Sequence, residues 1–139
     1  CVEKYPNSYT ASPPGENTWL AWHAAAKGLT GYLFWAYNTW VADPLLNSRW
    51  RRYPAGELFQ FYPGPRTSIR FEKLREGIQD FEKIRILREK FTAGGNKEAL
   101  LQLDKIVATF ADIKKIETVP AAEMLEKGKE VLTSLSREK

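Results

Sequence analysis

The sequence has very little sulfur and histidine: 1 cysteine, 1 methionine and 1 histidine among 139 residues. Because the single cysteine is Cys1, the chain forms no internal disulfide and no metal site built from several cysteines. No stretch approaches the roughly 18 consecutive apolar residues that a membrane-spanning helix needs. Disulfide scaffolds, cysteine-based metal sites and transmembrane helices are therefore excluded.

A block of basic charge is also missing, although the formal net charge is +4. The nearest approach to one is Arg49, Arg51 and Arg52, which Trp50 interrupts. From residue 70 onward, lysine and arginine alternate with glutamate, as on the solvated surface of a helix. Because nucleic-acid-binding proteins gather basic residues on one face, this pattern argues against a nucleic-acid partner.

The sequence also lacks an initiating methionine, because its only methionine is Met124. Cys1 then has two interpretations: the first residue of a mature lipoprotein, or a position inside a longer polypeptide. The second is preferred, because the family resemblance given below places this end of the chain within a domain.

Aromatic residues are abundant and unevenly placed: there are 5 Trp, 6 Tyr and 7 Phe, and all the Trp and Tyr fall in the first 62 residues. The first helix is predicted over about 13–27, with Ser12 as its N-cap, Pro13 at its first position and Gly28 after its end. Apolar residues at spacings of three and four then predict further helices. They begin at Thr67 or Ser68, before Leu100, and at Pro120.

Two short aromatic runs lie between the first and second helices. Gly31 to Tyr37 is almost without charge, which fits a strand buried on both faces, and Leu58 to Tyr62 is interpreted in the same way. The loop over 38–56 is long, and such loops in compact domains are usually functional or disordered. Its aromatic content argues against disorder.

The alternation of helices and strands predicts an α/β fold with parallel strands. Two strands do not make a stable sheet alone, so residues 1–11 or additional polypeptide must complete it. The expected architecture is the C-terminal portion of a (β/α)8 TIM-barrel-like domain, with two or three short parallel strands and about five helices. Residues 1–92 would form the barrel units and residues 93–139 a trailing helical extension packed on the same domain. Gly77, inside the long helix, would allow close packing on the sheet.

The densest group of candidate binding residues follows the first predicted strand: Trp35, Tyr37, Asn38 and Trp40. In a barrel, the C-terminal ends of the strands form the active site. Flat aromatic rings there suit the apolar face of a sugar, and an amide binds its hydroxyl groups. The alternative is that these rings fill the barrel interior.

Three further candidates lie in or beside the predicted loops: Asp43, Tyr62 and Arg66. Asp43 is the one acid placed to contribute to catalysis, although a turn residue before Pro44 is the simpler interpretation. Arg66 suits a polar or anionic substituent, or a pairing with a surface carboxylate. No pair of carboxylates suits glycoside hydrolysis, so no catalytic residue is assigned. His23 is interpreted as a packing or surface residue, and no metal site or cofactor is expected.

Several motifs together resemble one family of bacterial proteins. They are Ser12-Pro13-Pro14 before a Trp-rich helix, Gly31 to Trp40, Tyr62-Pro63-Gly64, and Ser68 through Asp80. The resemblance covers roughly residues 5–92. It is to a C-terminal domain of unknown function in Bacteroides-type proteins, which also occurs in family-123 glycoside hydrolases, the β-N-acetylgalactosaminidases.

The resemblance implies a barrel and an exo-acting glycosidase assisted by the acetamide of its own substrate. It also implies an adjacent Asp-Glu catalytic pair, but this sequence contains no such pair. The expectation is a substrate-lining part that binds N-acetylhexosamine-containing glycans and is inactive alone. A periplasmic or extracellular location is implied by the family as well.

The expected partners are a carbohydrate ligand and either the N-terminal remainder of the barrel or a second copy, bound through exposed strand edges. Two other function classes remain open. One is a non-catalytic carbohydrate-binding module. The other is a structural or assembly domain, which near-complete burial of Trp35, Tyr37 and Trp40 would favour.

Overall fold

The computed structural model describes residues 6–64 and 66–137. Within these ranges the chain forms four α-helices and one 3-10 helix. They are α1 (Gly15–Ala26), α2 (Ile69–Gly94), α3 (Lys97–Ala108), the 3-10 helix (Ile113–Glu117) and α4 (Ala121–Leu135). A long connection without regular secondary structure joins α1 to α2. None of these helices is long and apolar enough to cross a membrane.

The first helix begins later than its sequence signals predict. Its N-cap is Pro14 and not Ser12, and no side chain caps it. The Ser12 hydroxyl donates to the Asn7 side chain instead, so it is not available to the helix. The predicted end is confirmed, because Gly28 has a φ of 67° and the Leu29 N–H donates to the Ala24 carbonyl at 2.9 Å.

The second helix has the caps that its sequence predicts. The Ser68 Oγ accepts a hydrogen bond from the Phe71 N–H at 3.2 Å. At the other end Gly95 has a φ of 68°, and the Asn96 N–H donates to the Phe91 carbonyl at 3.0 Å. A left-handed glycine of this kind satisfies the last carbonyl groups of a helix. The predictions of a further helix after Gly95 and of one opened by Pro120 are confirmed as well.

The hydrophobic core lies between the helices. All four α-helices and the 3-10 helix contribute to it. The largest side chains of this cluster with no exposed surface are Trp19, Trp22, Phe110 and Leu103. Phe59, in the connection, is equally buried but lies outside the cluster. The core contains residues from both sides of residue 92. The division of the chain at that residue stays a prediction.

Two glycines allow the helices to approach each other closely. A Cβ on Gly77 would lie 3.0 Å from the Ala21 Cβ and 3.1 Å from the Thr18 Cα. A Cβ on Gly128 would lie 2.7 Å from the Trp22 ring. The predicted close packing at Gly77 is therefore present, but the surface it packs against is helix α1 and not a sheet.

A polar network joins α1, α2 and α4 at the edge of this core. The Trp22 Nε1 donates to the Asp80 carboxylate at 2.9 Å. The Lys129 ammonium group lies 2.6 Å from Asp80 and 2.9 Å from Glu76. Lys73 pairs with the other oxygen of Glu76 at 2.6 Å. Each charge at this helix junction therefore has a partner, as a partly buried charge requires.

These contacts change the pKa values of two groups. Burial lowers the pKa of Lys129, but its bonds to Asp80 and Glu76 outweigh that effect and raise the pKa overall. For Glu76, partial burial acts to raise the pKa, while the bonds from Lys73 and Lys129 outweigh it and lower the pKa overall. The network therefore favours the charged form of both groups.

The predicted α/β barrel portion with parallel strands is wrong. No residue in 6–64 or 66–137 belongs to a β-strand, and only two isolated bridges occur, both antiparallel. One bridge joins Asn38 to Phe59, so the two predicted strands meet in the opposite sense to a barrel. The first apolar run is not the buried strand that was predicted, because its Leu33 is 85% exposed, whereas Leu58 and Phe59 of the second run are buried without forming a strand.

The remaining strand predictions are limited by the described ranges. The third strand considered over 1–11 is absent from residues 6–11, and residues 1–5 lie outside the described residues. The interpretation of Cys1 lies outside them as well. The helices pack on one another and not on a sheet, so the fold in the described ranges is helical with one long irregular connection.

Candidate functional site

The two aromatic segments are joined by a short antiparallel contact. The Thr39 N–H donates to the Leu58 carbonyl at 3.1 Å, and the Gln60 N–H donates to the Tyr37 carbonyl at 3.3 Å. These bonds flank the bridge between Asn38 and Phe59. The contact fixes the end of the first segment against the middle of the second.

Tyr37 and Trp40 are anchored by the second segment but remain partly open to solvent. The Tyr37 ring stacks on the Phe61 ring at a centroid distance of 5.8 Å and meets the edge of Phe71 at 5.9 Å. The Trp40 Nε1 donates to the Phe61 carbonyl at 2.7 Å. Tyr37 is 51% exposed and Trp40 is 39% exposed. Rings held in this way present fixed apolar surface, which is what stacking on a ligand needs.

Trp35 lies on a different side of the segment. Its side chain is 74% exposed and lines a cavity with Ser8, Tyr32 and Glu57, in which Tyr37 and Trp40 take no part. The peptide bond between Trp35 and Ala36 is cis. The four candidates of the first segment therefore divide between two surfaces. Asn38, the fourth of them, is exposed and contributes the backbone bridge.

The candidates of the second segment lie at a tight turn before α2. The Tyr62 N–H donates to the Arg66 carbonyl at 3.1 Å, and the Tyr62 ring meets the edge of Phe59 at 5.3 Å. The exposed Arg66 guanidinium donates to the Pro63 carbonyl at 3.4 Å. This carbonyl, and not a carboxylate, is the hydrogen-bond partner of Arg66 in the structure.

Asp43 has the geometry of a turn residue. Its Oδ1 accepts a hydrogen bond from the Leu46 N–H at 3.4 Å, and its carbonyl accepts one from the Asn47 N–H at 3.0 Å. Aspartate commonly bonds its own backbone in this way. Neither of these contacts involves a second acid.

Arg70 is a functional-site candidate that sequence reasoning missed. Its buried guanidinium Nη1 donates to the Ser8 carbonyl at 2.9 Å and to the Gly56 carbonyl at 2.6 Å. Its Nη2 lies 3.4 Å from the Tyr62 hydroxyl. The one sequence signal was the glycine at position 56. In the structure this glycine has a φ of 84° and leaves room for the guanidinium.

Glu57 is a second missed residue. It precedes the second aromatic segment, so a strand over Leu58 to Tyr62 would place it at the end opposite a barrel's active site. Since no strand exists there, that argument does not apply. The Glu57 Oε2 is buried and has no hydrogen-bond partner among the described residues.

Two titratable groups near these surfaces are affected by burial. Burial raises the pKa of Tyr32 to about 12, although a tyrosine at its ordinary value would be protonated at neutral pH as well. Burial also raises the pKa of Glu16, although the hydrogen bond from the Asn7 N–H works in the other direction. Within the described ranges no three histidine, cysteine or acidic side chains come together in a way that would hold a metal ion.

Comparison with known families identifies the chain's relatives. Residues 1–87 match the family described as glycoside hydrolase 123, catalytic domain. The chain belongs to glycoside hydrolase family 123. The predicted resemblance to this family is thereby confirmed at the family level. Its Bacteroides-type distribution and its description as a C-terminal domain of unknown function stay predictions.

A solved structure supports the fold of this family-123 chain. It is a family 123 glycoside hydrolase from Clostridium perfringens, studied for the details of glycolipid glycan hydrolysis. The TM-score is 0.82 at 23% identity, and the match covers 99% of this chain and 26% of that one. This chain therefore spans about a quarter of the length of that enzyme. No curated protein matches the sequence.

Proposed function

We propose that this chain is a substrate-binding part of a family-123 glycoside hydrolase that acts on N-acetylhexosamine-containing glycans. The observation that supports it is the exposure of Trp35, Tyr37 and Trp40 in a chain of this family. Near-complete burial would have favoured a purely structural role. A periplasmic or extracellular location remains a prediction from the family resemblance.

The anchored aromatic rings suit a sugar for a physical reason. One face of a sugar ring carries C–H groups and is apolar, while its rim carries hydroxyl groups. Stacking on a rigid ring removes that apolar face from water, at little cost in side-chain entropy because the ring is already held. Tyr37 is held by Phe61 and Trp40 by a hydrogen bond to the same residue. Asn38 lies between these two rings in the sequence and has an amide that suits rim hydroxyl groups.

Catalysis by the isolated chain is not expected. Glycoside hydrolysis uses two carboxylates, or one acid together with the acetamide of the substrate. The adjacent Asp-Glu pair that the family resemblance implies is absent from the sequence, and Asp43 is engaged in a turn. We infer that the hydrolytic groups belong to other parts of a family-123 catalytic domain.

Exposed leucines in the connection suggest where such a part binds. Leu33 is 85% exposed and Leu46 is 86% exposed. Apolar surface left open to solvent is one mark of a protein contact. We infer that this connection packs against further catalytic-domain polypeptide, with self-association of the chain as the alternative. Sedimentation of the isolated chain separates the two: association that Leu33→Ser abolishes supports self-association, and a monomer at every concentration contradicts it.

Carbohydrate binding by the isolated chain tests the main proposal. Titration with an N-acetylgalactosamine-containing oligosaccharide, followed by NMR, is expected to give a roughly millimolar dissociation constant. Trp35→Ala should weaken binding by about tenfold, the size expected for one lost stacking contact. The same sample should give no turnover of a chromogenic N-acetylgalactosaminide.

Trp50→Ala is the matched control. Trp50 lies in the same connection but packs against Tyr53 and the Arg51 guanidinium, so its loss should leave sugar binding unchanged. Equal losses for Trp35→Ala and Trp50→Ala would contradict a specific site. Clear turnover would contradict the inactivity of the isolated chain.

A further inference from the structure

The loop over 48–56, within the connection between α1 and α2, is closed by main-chain hydrogen bonds. The Gly56 N–H donates to the Ser48 carbonyl at 2.8 Å, which joins the two ends of the loop. At its tip the Tyr53 N–H donates to the Trp50 carbonyl at 3.1 Å, as in a β-turn. The segment from Arg49 to Tyr53, named the arginine turn, therefore has a defined shape.

Arg51 has a backbone conformation that its residue type rarely adopts. Its φ is 52°, and among the residues that the structure describes every other positive φ belongs to a glycine. The left-handed region is unfavourable for a side chain such as arginine, and residues held in it are concentrated at active sites and ligand-binding sites. Since glycine would fit here with less strain, the arginine at position 51 indicates a use for its guanidinium.

An aromatic ring supports this guanidinium. The Arg51 Cζ lies 4.3 Å from the centroid of the Trp50 ring, and the Trp50 and Tyr53 ring centroids are 5.9 Å apart. Attraction of a guanidinium to the face of an indole does not use its N–H groups. The contact therefore holds the Arg51 side chain in place while its hydrogen-bond donors stay available.

The charges of the arginine turn have no acidic partner. Arg49, Arg51 and Arg52 are exposed and belong to no ion pair among residues 6–64 and 66–137. Arg75, on α2, differs because its guanidinium lies 2.8 Å from the Glu72 carboxylate. Three like charges within four residues repel one another, so the turn favours a ligand that brings negative charge.

The number and the type of these basic residues define the ligand. Arginine presents its N–H groups in a planar fork that matches the oxygen atoms of an anionic group such as a carboxylate. Anionic membrane surfaces are bound by clusters of about four to eight basic residues. Heparin and nucleic acids are bound by basic runs of about five to eight residues. The arginine turn has three arginines and therefore suits one anionic group of a small ligand.

The arginine turn is within reach of the anchored aromatic rings. The Leu58 carbonyl accepts a hydrogen bond from the Thr39 N–H, next to Trp40. Five residues of chain lead from Tyr53 to Leu58, so their Cα atoms are at most about 18 Å apart. An oligosaccharide of a few sugar residues can span a distance of this order.

We propose that the arginine turn binds a sulfate or carboxylate group carried by the glycan. This assignment rests on the proposed function, since it takes the ligand to be a glycan, and it narrows the ligand to acidic glycans. It adds Arg49, Arg51 and Arg52 as binding residues that Trp50 and Tyr53 hold in position.

The test compares a neutral N-acetylgalactosamine-containing oligosaccharide with forms of equal length that carry a sulfate or a carboxylate. Binding to the whole chain is followed by NMR titration. At low ionic strength at least one acidic form should bind about tenfold more tightly than the neutral form. The difference should shrink as salt is added, because exposed charges are screened. Equal affinities at low ionic strength would overturn the proposal.

Arg51→Gly is the decisive variant, because glycine accepts a φ of 52° without strain. It should abolish the roughly tenfold preference for the acidic form and leave binding of the neutral form unchanged. Its melting temperature should stay the same or rise. A purely structural role for Arg51 predicts the reverse, a lower melting temperature with the preference retained.

Arg75→Gln is the matched control. It changes the net charge by the same amount at an exposed arginine that already has an acidic partner, so it should keep the preference for the acidic form. Equal losses for Arg75→Gln and Arg51→Gly would overturn the proposal, because net charge alone would then explain the preference. Trp50→Ala should reduce the preference by a few-fold and leave binding of the neutral form unchanged.

The outcomes separate this inference from the proposed function. If the wild-type chain binds the neutral and acidic forms equally and Trp35→Ala weakens both, this inference is wrong and the proposed function stands. If the chain binds none of the oligosaccharides, both are wrong. Binding of phosphatidylserine vesicles in preference to the acidic oligosaccharides would also overturn this inference, because it would identify a membrane-binding surface.

Discussion

The helices and the first part of the connection between α1 and α2 differ in how they treat their large apolar residues. The helices bury Trp19 and Trp22 completely. The first part of the connection exposes Leu33 and Trp35, whereas Phe59, near its end, is buried. A helix satisfies its backbone hydrogen bonds internally and needs only one neighbour to bury its apolar side, whereas an extended segment needs partners on both edges. The helices therefore bury a core among themselves, while the first aromatic segment leaves apolar surface open to solvent.

The largest expected effect is from removing the central helix-core tryptophan. Trp22→Ala should lower the free energy of unfolding by about 3–5 kcal/mol, because it leaves a cavity beside Phe110 and Gly128. It also removes the N–H that Asp80 accepts. Denaturant unfolding measures the loss. Trp50→Ala, in the connection, should cost far less, and equal costs for the two variants would remove the distinction drawn above.

The close contact of α1 with α2 predicts a smaller loss. Gly77→Ala should lower the free energy of unfolding by roughly 0–2 kcal/mol. This is an overpacking cost of about 1–3 kcal/mol less the gain of about 1 kcal/mol from better helix propensity. Gly94→Ala, in the same helix but with no atom within 4 Å of its new Cβ, is the control. It should be neutral or stabilising, and a greater loss there than at Gly77 would contradict the packing argument.

The ion pairs of Glu76 predict the smallest effect, a change in acid stability. The folded state lowers the pKa of Glu76 below 4.5, so its contribution to stability is present above that pH. The contribution is lost as the pH falls through the lower, folded value. The difference in unfolding free energy between wild type and Glu76→Gln should therefore shrink as the pH falls below about 4.5. Glu117→Gln should show no such trend, and a difference independent of pH would contradict the assignment.

Most helix ends, though not the start of α1, were predicted correctly because their signals are local. Ser68, Gly95 and Pro120 each mark a helix end through the backbone of the next few residues. The strands were predicted wrongly because an apolar run such as Gly31 to Tyr37 shows only that a segment carries apolar side chains. It does not show whether another segment pairs with it. Pairing depends on residues distant in sequence, which a local pattern does not contain.

The candidate site was predictable only in part. The aromatic residues were recognised from composition and from the family resemblance, and they remain candidates. Glu57 was not a candidate because a strand over Leu58 to Tyr62 would place it at the end opposite the active site. That strand does not form. Arg70 was not singled out, since its partners are main-chain carbonyls at positions 8 and 56. Gly56 alone hints at a close contact, and a glycine does not identify the side chain that approaches it.

The bonds of Arg70 join two segments that are distant in the sequence. A single nitrogen of its guanidinium donates to the carbonyls of Ser8 and Gly56, so a residue of α2 sets the spacing between the N-terminal segment and the connection. Replacement by lysine keeps the charge but loses the planar fork. A substitution at position 70 would therefore shift Ser8, which lines the cavity beside Trp35, without changing any side chain of that cavity.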